Sequence, residues 1–262
     1  MYPYKLFLGL SLYDIMLAVG FFAALMFLRF WADRRNFSAK LQNLCIGCAL
    51  AALVGGYLSA VFFQSLYNYL DGKPFAITAS TGATFYGGLI GGTIVFLIVY
   101  FEGGHFVLGK GEAKKHFFDL AEIAAPAVAL AHAFGRVGCL FAGCCYGKVT
   151  TAWFGIQNVH LHAKTVPIQL FEAIFLLALA AFLTWRLARR KTGNLAYYLI
   201  VYAVWRFYAE FFRADYRGQT IVNNMSPSQL TAIILAVLGI ALLVLDFVLT
   251  ERRKKKEAGD AS

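Results

Sequence analysis

The sequence predicts an all-α polytopic membrane protein with about seven transmembrane helices, forming one integral membrane domain over residues 1–262. Apolar residues make up 60% of the chain and the mean hydropathy is +0.64, whereas a soluble domain is about 45 to 50% apolar. Apolar runs also approach the ~20 residues that a helix needs to cross about 30 Å of hydrocarbon. The predicted spans are 10–30, 43–63, 86–103, 119–142, 168–187, 194–212 and 229–249.

Three of these runs need a separate justification. The run 10–30 is predicted to be a retained helix, because it is longer than the apolar core of about 7 to 15 residues in a signal peptide. The run 86–103 is rich in glycine, which weakens a helix in water but permits close helix packing in lipid. The run 119–142 contains His132 and Arg136, and a cation is costly to bury in hydrocarbon. Because of that cost, the two ionisable residues predict a functional site in the fourth run.

The net charge of +10 has a topological explanation. Most of the 24 lysines and arginines follow the first, third, fifth and seventh runs, and basic residues mark the cytoplasmic side of membrane proteins. The N-terminus is therefore predicted to lie outside and the C-terminus in the cytoplasm, with 251–262 as a basic cytoplasmic tail that touches anionic lipid. No nucleic-acid partner is needed to explain the charge, and the lipid bilayer is the expected partner.

Given this topology, most polar residues within the runs lie near their outer ends. Because successive helices run antiparallel, residues distant in sequence converge on one layer near the outer surface, at the depth of a phospholipid headgroup. Two cations with several hydrogen-bond donors suit a phosphate diester there. The members of this layer are Tyr13, Asp14, Tyr86, His132, Arg136, Gln169, Glu172, Glu210, Arg213 and Gln229.

Ordinary structural roles compete with this interpretation. Interfacial Arg213 and Gln229 are also typical of side chains that anchor helix ends. Arg206 and Glu210 have the spacing of a salt bridge within one helix. Asp14 has the position of a polar helix start, and we leave it out of the predicted site.

Six motifs, in this order, indicate a family. They are LYDIM at 12–16, FYGGLIGG at 85–92, FGRVGCLFAGCCYG at 134–147, PIQLFEA at 167–173, WRFYAEFFRADYRG at 205–218 and SPSQL at 226–230. Each motif alone is weak. With their order, spacing and predicted topology, the chain resembles the prolipoprotein diacylglyceryl transferases of bacterial membranes, in a variant branch with a GCCYG motif.

The resemblance implies transfer of the diacylglyceryl group of phosphatidylglycerol to the thiol of a lipobox cysteine in a preprolipoprotein. Such an alkylation needs a thiolate, cations that stabilise the departing phosphate, and alignment of sulfur with carbon. The resemblance further implies no metal or organic cofactor. It places the protein in the bacterial cytoplasmic (inner) membrane.

The resemblance also implies roles for individual residues. Arg136 and Arg213 match the two arginines that handle phosphate. Substrate contacts are implied for a larger set: Tyr13, Gly87, Gly88, Gly135, Cys139, Cys144, Gly147, Gln169, Glu172, Arg206, Glu210 and Gln229.

Three positions depart from the family pattern. Tyr86 replaces the histidine often proposed as the base, and Cys139 and Cys144 replace an asparagine and a glutamate. Tyrosine, with a reference pKa of about 10, is a poor base but a good donor. We hypothesise that His132 supplies the base and Tyr86 orients phosphate or substrate. A buried neutral His132 bonded to a neighbouring helix is the open alternative.

The cysteines allow a second class of function. Cys139, Cys144 and Cys145 are predicted on the external side, where a disulfide or a zinc ion shared with a histidine is feasible. A membrane thiol-disulfide oxidoreductase is therefore an alternative to the transferase. A transporter is the third reading, but the chain has no visible internal repeat and its charges gather in one layer. Cys45 and Cys48 are expected to pack as small apolar residues.

Overall fold

The computed structural model describes residues 1–2, 4–6, 9–70, 72–78, 81–214 and 225–260, without the side chains of 85–86 and 249–260. Its helices are α1 (Leu12–Arg34), α2 (Ala39–Leu70), α3 (Phe85–Ile98), α4 (Gly104–Leu108), α5 (Glu112–Ala142), α6 (Ile168–Ala188), α7 (Asn194–Ala209) and α8 (Pro227–Asp260). A π-helical turn (Val99–Gly103) joins α3 to α4, and a 3-10 turn (Glu210–Phe212) follows α7. Two short strands, β1 (Ile156–Asn158) and β2 (Ala163–Thr165), form an antiparallel hairpin between α5 and α6.

The predicted all-α membrane fold is confirmed. Among the described residues, six helical segments are long and apolar enough to cross a membrane. They coincide with six of the seven predicted runs, although α2, α5 and α8 extend several residues beyond the predicted bounds. The remaining run, 194–212, forms the 16-residue α7 and the 3-10 turn, so its α-helical part is shorter than a full span. The count of seven is thus approximate.

The contacts of the chain group into two compact units. One comprises Met1–Leu28 and Leu120–Ser262, and the other comprises Arg29–Asp119. The prediction that 1–262 forms a single domain is not tested by this grouping and stays a prediction.

In the unit 29–119, α2 and α3 pack through small residues. A Cβ atom built on Gly56 would lie 3.0 Å from the Gly88 carbonyl oxygen and 3.3 Å from the Gly92 Cα atom. The Ser59 hydroxyl donates to the Gly87 carbonyl at 2.8 Å. The glycines of this motif therefore permit close backbone approach, as expected for helices in lipid.

The unit of residues 1–28 and 120–262 contains most of the predicted site residues. Its core joins α5, α6 and α7 through a cluster of buried side chains: Ala125, Ala133, Leu176, Leu179, Leu183 and Tyr202. At the predicted cytoplasmic end, the Glu122 carboxylate accepts the backbone N–H groups of Gly193 and Asn194 at 2.7 and 2.9 Å. It caps the N-terminus of α7, where backbone donors lack partners within the helix. The buried Arg186 donates to the Asn194 side chain at 3.1 Å in the same place.

Removal of the Glu122 cap is expected to destabilise the protein. Glu122→Ala leaves two backbone donors of α7 unsatisfied, which costs about 1–3 kcal/mol. Thermal unfolding of the purified protein in detergent measures the effect. Glu112→Ala is the matched control, because the Glu112 carboxylate pairs with the exposed Lys115. An equal melting temperature for Glu122→Ala and wild type would contradict the assigned cap.

Candidate active site

The first part of the candidate site is an ion pair between α5 and α6. The Arg136 Nε atom lies 3.1 Å from Glu172 Oε1, and the Glu172 side chain is completely buried. The Tyr202 hydroxyl of α7 donates to the same Glu172 oxygen at 3.0 Å. About a tenth of the Arg136 side chain remains exposed.

The second part joins α7, the following turn and α8. Arg206 Nη2 lies 3.0 Å from Glu210 Oε2 and also donates to the Ser228 hydroxyl. Arg213 Nε is 4.0 Å from the same Glu210 oxygen. The spacing of Arg206 and Glu210 thus produces the salt bridge that the sequence allowed, and Arg213 extends it.

The two parts are electrostatically connected. Glu172 interacts with the charges of Arg136, Arg206 and Arg213. These three guanidinium groups and the two carboxylates of Glu172 and Glu210 leave a net positive charge in a buried site. Arg206 Nη1 and Gln169 Oε1 are also buried without a hydrogen-bond partner among the described residues. Buried polar atoms without partners are rare in native proteins, so these two atoms can accept a partner that a bound substrate supplies.

The backbone fixes the position of Arg213 relative to the end of α5. Gly147 and Arg213 form an isolated antiparallel bridge, in which Lys148 N donates to Phe212 O at 2.9 Å. A Cβ atom on Gly147 would lie only 2.7 Å from Val166 O and 2.9 Å from Phe212 O. Only glycine permits this approach, and the Gly147 N–H also donates to Val166 O at 3.0 Å.

Tyr13 and Gly135 place α1 against the same part of α5. A Cβ atom built on Gly138 would lie 3.1 Å from the Tyr13 ring, and one on Gly135 would lie 3.7 Å from Leu17. Tyr13 interacts electrostatically with Arg136 and with the thiols of the GCCYG segment. Asp14, in contrast, belongs to a capping box at the start of α1: its carboxylate accepts the Ser11 N–H and hydroxyl, and the Ser11 hydroxyl accepts the Asp14 N–H, as expected for a polar helix start.

His132 lies one turn before Arg136, in aromatic surroundings. Its Nδ1 atom is 3.3 Å from the Tyr198 hydroxyl, and its ring packs edge-on against Tyr202 at a centroid distance of 4.9 Å. Tyr202 therefore contacts both His132 and Glu172, which links the histidine to the Arg136 ion pair. The contact with Tyr198 of α7 also fits the alternative role for His132, a buried neutral histidine bonded to a neighbouring helix.

The remaining predicted residues have other surroundings. The Gln229 side chain accepts the Ser226 N–H at 3.0 Å while the Ser226 hydroxyl accepts the Gln229 N–H at 3.2 Å, a capping box at the start of α8. Gly87 and Gly88 belong to the unit 29–119, and the Tyr86 side chain lies outside the described part of the chain. Their contribution to substrate binding stays a prediction.

Cys139 near the end of α5 lies close to the two cysteines of the GCCYG segment, Cys144 and Cys145. The Sγ atoms of Cys139, Cys144 and Cys145 are all within 4.8 Å of one another. Hydrogen bonding with Cys139 lowers the pKa of the Cys144 thiol, but Cys145 and burial raise it, so that the pKa is raised to about 11. Without a bound cation, Cys144 is therefore protonated at neutral pH and a weak nucleophile.

Two residues of the site were missed by sequence reasoning. Tyr202 and Ser228 contact Glu172 and Arg206, respectively. Tyr202 is four residues before Arg206 and thus on the same face of α7, which is a usable signal. Ser228 lies within the SPSQL motif at 226–230, but nothing in its sequence position distinguishes it from a helix cap.

This fold and site define a helical membrane protein with a buried, positively charged polar centre. The family model described as "Prolipoprotein diacylglyceryl transferase" matches residues 4–245. The chain belongs to this family, which confirms the predicted resemblance.

Several curated relatives bear the name phosphatidylglycerol–prolipoprotein diacylglyceryl transferase. The Clostridium tetani protein is 31% identical over 249 residues, covering 89% of this chain and 92% of its own length. A Clostridium perfringens protein with the suffix 2 is 30% identical over 262 residues, covering 96% of both. A Dehalococcoides mccartyi protein is 30% identical, covering 94% of this chain and 91% of its own length. These relationships favour a transferase over an oxidoreductase or a transporter.

Proposed function

We propose that this protein transfers the diacylglyceryl group of phosphatidylglycerol to the thiol of a lipobox cysteine in a preprolipoprotein. The observation that carries the proposal is the buried arginine group around Glu172, with its net positive charge and its unpartnered Arg206 Nη1 donor. A phosphate diester has a single negative charge and oxygen acceptors that match these features. The names of the relatives supply the identity of the lipid and of the acceptor.

In this proposal, Arg136 and Arg213 hold the phosphate, with Arg206 as a further donor. The acceptor sulfur attacks the glycerol carbon and forms a C–S bond, while the C–O bond to phosphate breaks and glycerol phosphate leaves with the electron pair. Fixed cations are most effective where negative charge develops on the leaving group. Glu172 and Glu210 orient the guanidinium groups, as their ion pairs indicate.

Tyr13 and Gln169 are proposed to position the substrate. Tyr13 lies beside the Gly138 backbone, two residues after Arg136. The Gln169 side chain donates to the Cys144 carbonyl at 2.6 Å and thereby ties α6 to the turn after α5. The other predicted contact residues of this region lie in the motif 134–147 and are Gly135, Cys139, Cys144 and Gly147.

We propose that His132 is the general base that deprotonates the acceptor thiol and that Tyr86 orients the phosphate or the substrate. His132→Gln retains a polar contact to Tyr198 but removes proton transfer, and a general base contributes about 10²–10⁴-fold to a rate. We therefore expect a loss of that size in kcat, and a smaller loss for Tyr86→Phe. Full transfer by His132→Gln, together with loss of transfer by Tyr86→Phe, would reverse the two assignments.

The protein is a multi-pass membrane protein, and we propose the bacterial cytoplasmic membrane with the N-terminus outside and the C-terminus inside. The basic residues after α1, α6 and along the end of α8 support this orientation. Reporter fusions to each terminus test it, and a cytoplasmic N-terminus would contradict it.

The activity is tested with purified protein, labelled phosphatidylglycerol and a lipobox peptide. We expect a thioether-linked peptide and an equal amount of released glycerol phosphate. The matched control is the same peptide with serine in place of the lipobox cysteine, which should give neither product. If a related transferase is active in the same assay and this protein is not, the proposed activity is wrong.

A further inference from the structure

The three cysteines near the end of α5 form a cluster that the mechanism above does not use. Cys139 lies in α5, and Cys144 and Cys145 lie in the turn that follows Gly143. Their Sγ atoms are all within 4.8 Å of one another. In a tetrahedral zinc site with Zn–S bonds of about 2.3 Å, sulfur atoms are about 3.8 Å apart. The observed cluster is therefore within about 1 Å of the spacing that one metal ion requires.

The backbone around the cluster is held by neighbouring elements. The carbonyl groups of residues 142, 143 and 144 accept hydrogen bonds from His160, Asn158 and Gln169, at 3.0, 3.1 and 2.6 Å. The Tyr146 carbonyl accepts the Ala214 N–H at 3.3 Å. A ligand set works best on a backbone that is already fixed before the ligand binds.

The backbone conformation of the turn is unusual for its sequence. Cys145 has a φ of 61°, in the left-handed region that side chains other than glycine, asparagine and aspartate rarely adopt. Gly143, with a φ of 72°, begins the turn. Such a conformation costs free energy and persists only where its surroundings enforce it, often at functional sites. Here it accompanies the convergence of the three sulfur atoms.

The charges near the cluster suit a zinc thiolate centre. Three thiolates and one Zn²⁺ have a net charge of −1, and Arg136 interacts electrostatically with Cys139 and Cys145. Soft sulfur ligands select zinc or copper(I) over magnesium and calcium. Cys144 is exposed, so one side of the cluster is accessible from the protein surface.

We propose that Cys139, Cys144 and Cys145 bind one Zn²⁺ through three thiolates and leave a fourth coordination position open. Zinc sites with three protein ligands and an open position are catalytic in type. This inference departs from the metal-free enzyme that the family resemblance implied, and two of its three ligands, Cys139 and Cys144, stand where the chain departs from the family pattern.

The open position is assigned to the acceptor thiol, a step that rests on the proposed function. The thiol of the lipobox cysteine binds Zn²⁺ as a thiolate, and its proton passes to the base assigned to His132. The zinc-bound sulfur then forms the C–S bond as the C–O bond to phosphate breaks, and the metal is unchanged. Because a free cysteine with a pKa near 8.5 is only about 3% ionised at pH 7, loss of zinc should lower the rate up to about 30-fold.

Metal analysis of the purified protein tests the site without reference to activity. We expect close to one zinc per chain, and a cobalt-substituted protein with the absorption bands of sulfur-ligated Co²⁺. Cys139→Ser, Cys144→Ser and Cys145→Ser should each lose most of the metal. Cys48→Ala is the matched control, because Cys48 is a buried cysteine of α2, and it should keep the metal. A wild-type protein without zinc that also gives no cobalt spectrum would overturn the proposal, as would a disulfide among these cysteines in the freshly purified protein.

The open position is tested on the cobalt-substituted protein. A lipobox peptide should shift the cobalt spectrum, and its serine counterpart should not. Removal of the metal with a chelator should lower transfer, and Zn²⁺ but not Mg²⁺ should restore it. Transfer at an undiminished rate without metal would refute the catalytic assignment while the proposed transferase stands. Metal binding in a protein that never forms thioether would refute the transferase while the three-thiolate site stands.

Discussion

Arg136→Gln is expected to lower kcat/KM for diacylglyceryl transfer by about 10²–10³-fold, the usual loss when one fixed group that stabilises developing negative charge is removed. The Arg136 Nε atom lies 3.1 Å from the carboxylate of the buried Glu172, and about a tenth of the Arg136 side chain is exposed. Glutamine retains a donor but no charge. The rate of thioether formation at saturating and limiting phosphatidylglycerol measures the change.

The matched control is Arg186→Gln, which removes a buried arginine of the same unit. Arg186 donates to Asn194 beside the α7 cap, away from the proposed chemistry. We expect a lower melting temperature but unchanged kcat per folded molecule. If kcat per folded molecule fell equally in both variants, the loss in Arg136→Gln would reflect a general effect on the structure and not a lost contact with the phosphate.

Glu172→Ala is expected to lower the free energy of unfolding by about 3–5 kcal/mol, because it leaves a buried guanidinium without its counter-ion. The Glu172 carboxylate also accepts the Tyr202 hydroxyl, so a second polar group loses its partner. Reversible unfolding in detergent measures the change. A loss of transfer should accompany it, because Arg136 then has no fixed orientation.

Tyr202→Phe provides the graded comparison. It removes only the hydroxyl that donates to Glu172 and leaves the Arg136 ion pair, so a loss of about 1 kcal/mol is expected. If Glu172→Ala costs no more than Tyr202→Phe, the ion pair does not contribute to stability in the way its burial implies.

The membrane fold was predictable because length and apolarity alone determine a spanning helix. Helix ends were less predictable. The basic residues after 250 lengthen α8 to Asp260, since lysine, arginine and glutamate favour helix once the apolar run has ended. The hairpin of β1 and β2 was not predicted, because three-residue strands have no periodicity that a sequence can show.

The grouping of Arg136, Glu172, Glu210 and Arg213 was predictable from antiparallel helices with polar residues at their predicted outer ends, whereas Arg206 was expected as the salt-bridge partner of Glu210. The partners within the site were not. A tyrosine in a membrane helix is common, and only the structure connects Tyr202 to Glu172. The partner of Gln229, in contrast, could be predicted, because the spacing of Ser226 and Gln229 is that of a capping box.

The cysteine cluster shows a further limit. The predicted topology placed Cys139, Cys144 and Cys145 on one side of the membrane but left both a disulfide and a metal site open. Their mutual distance depends on the left-handed Cys145 and on the hydrogen bonds that hold the turn, which are tertiary features.

A structure of the protein with bound phosphatidylglycerol would show whether the arginine group holds the phosphate. We expect phosphate oxygens about 2.7–2.9 Å from guanidinium nitrogen atoms of Arg136 and Arg213. A further phosphate oxygen is expected at the same distance from the Arg206 Nη1 atom, which has no hydrogen-bond partner among the described residues. A phosphate bound elsewhere, with Arg136 still in contact only with Glu172, would contradict it.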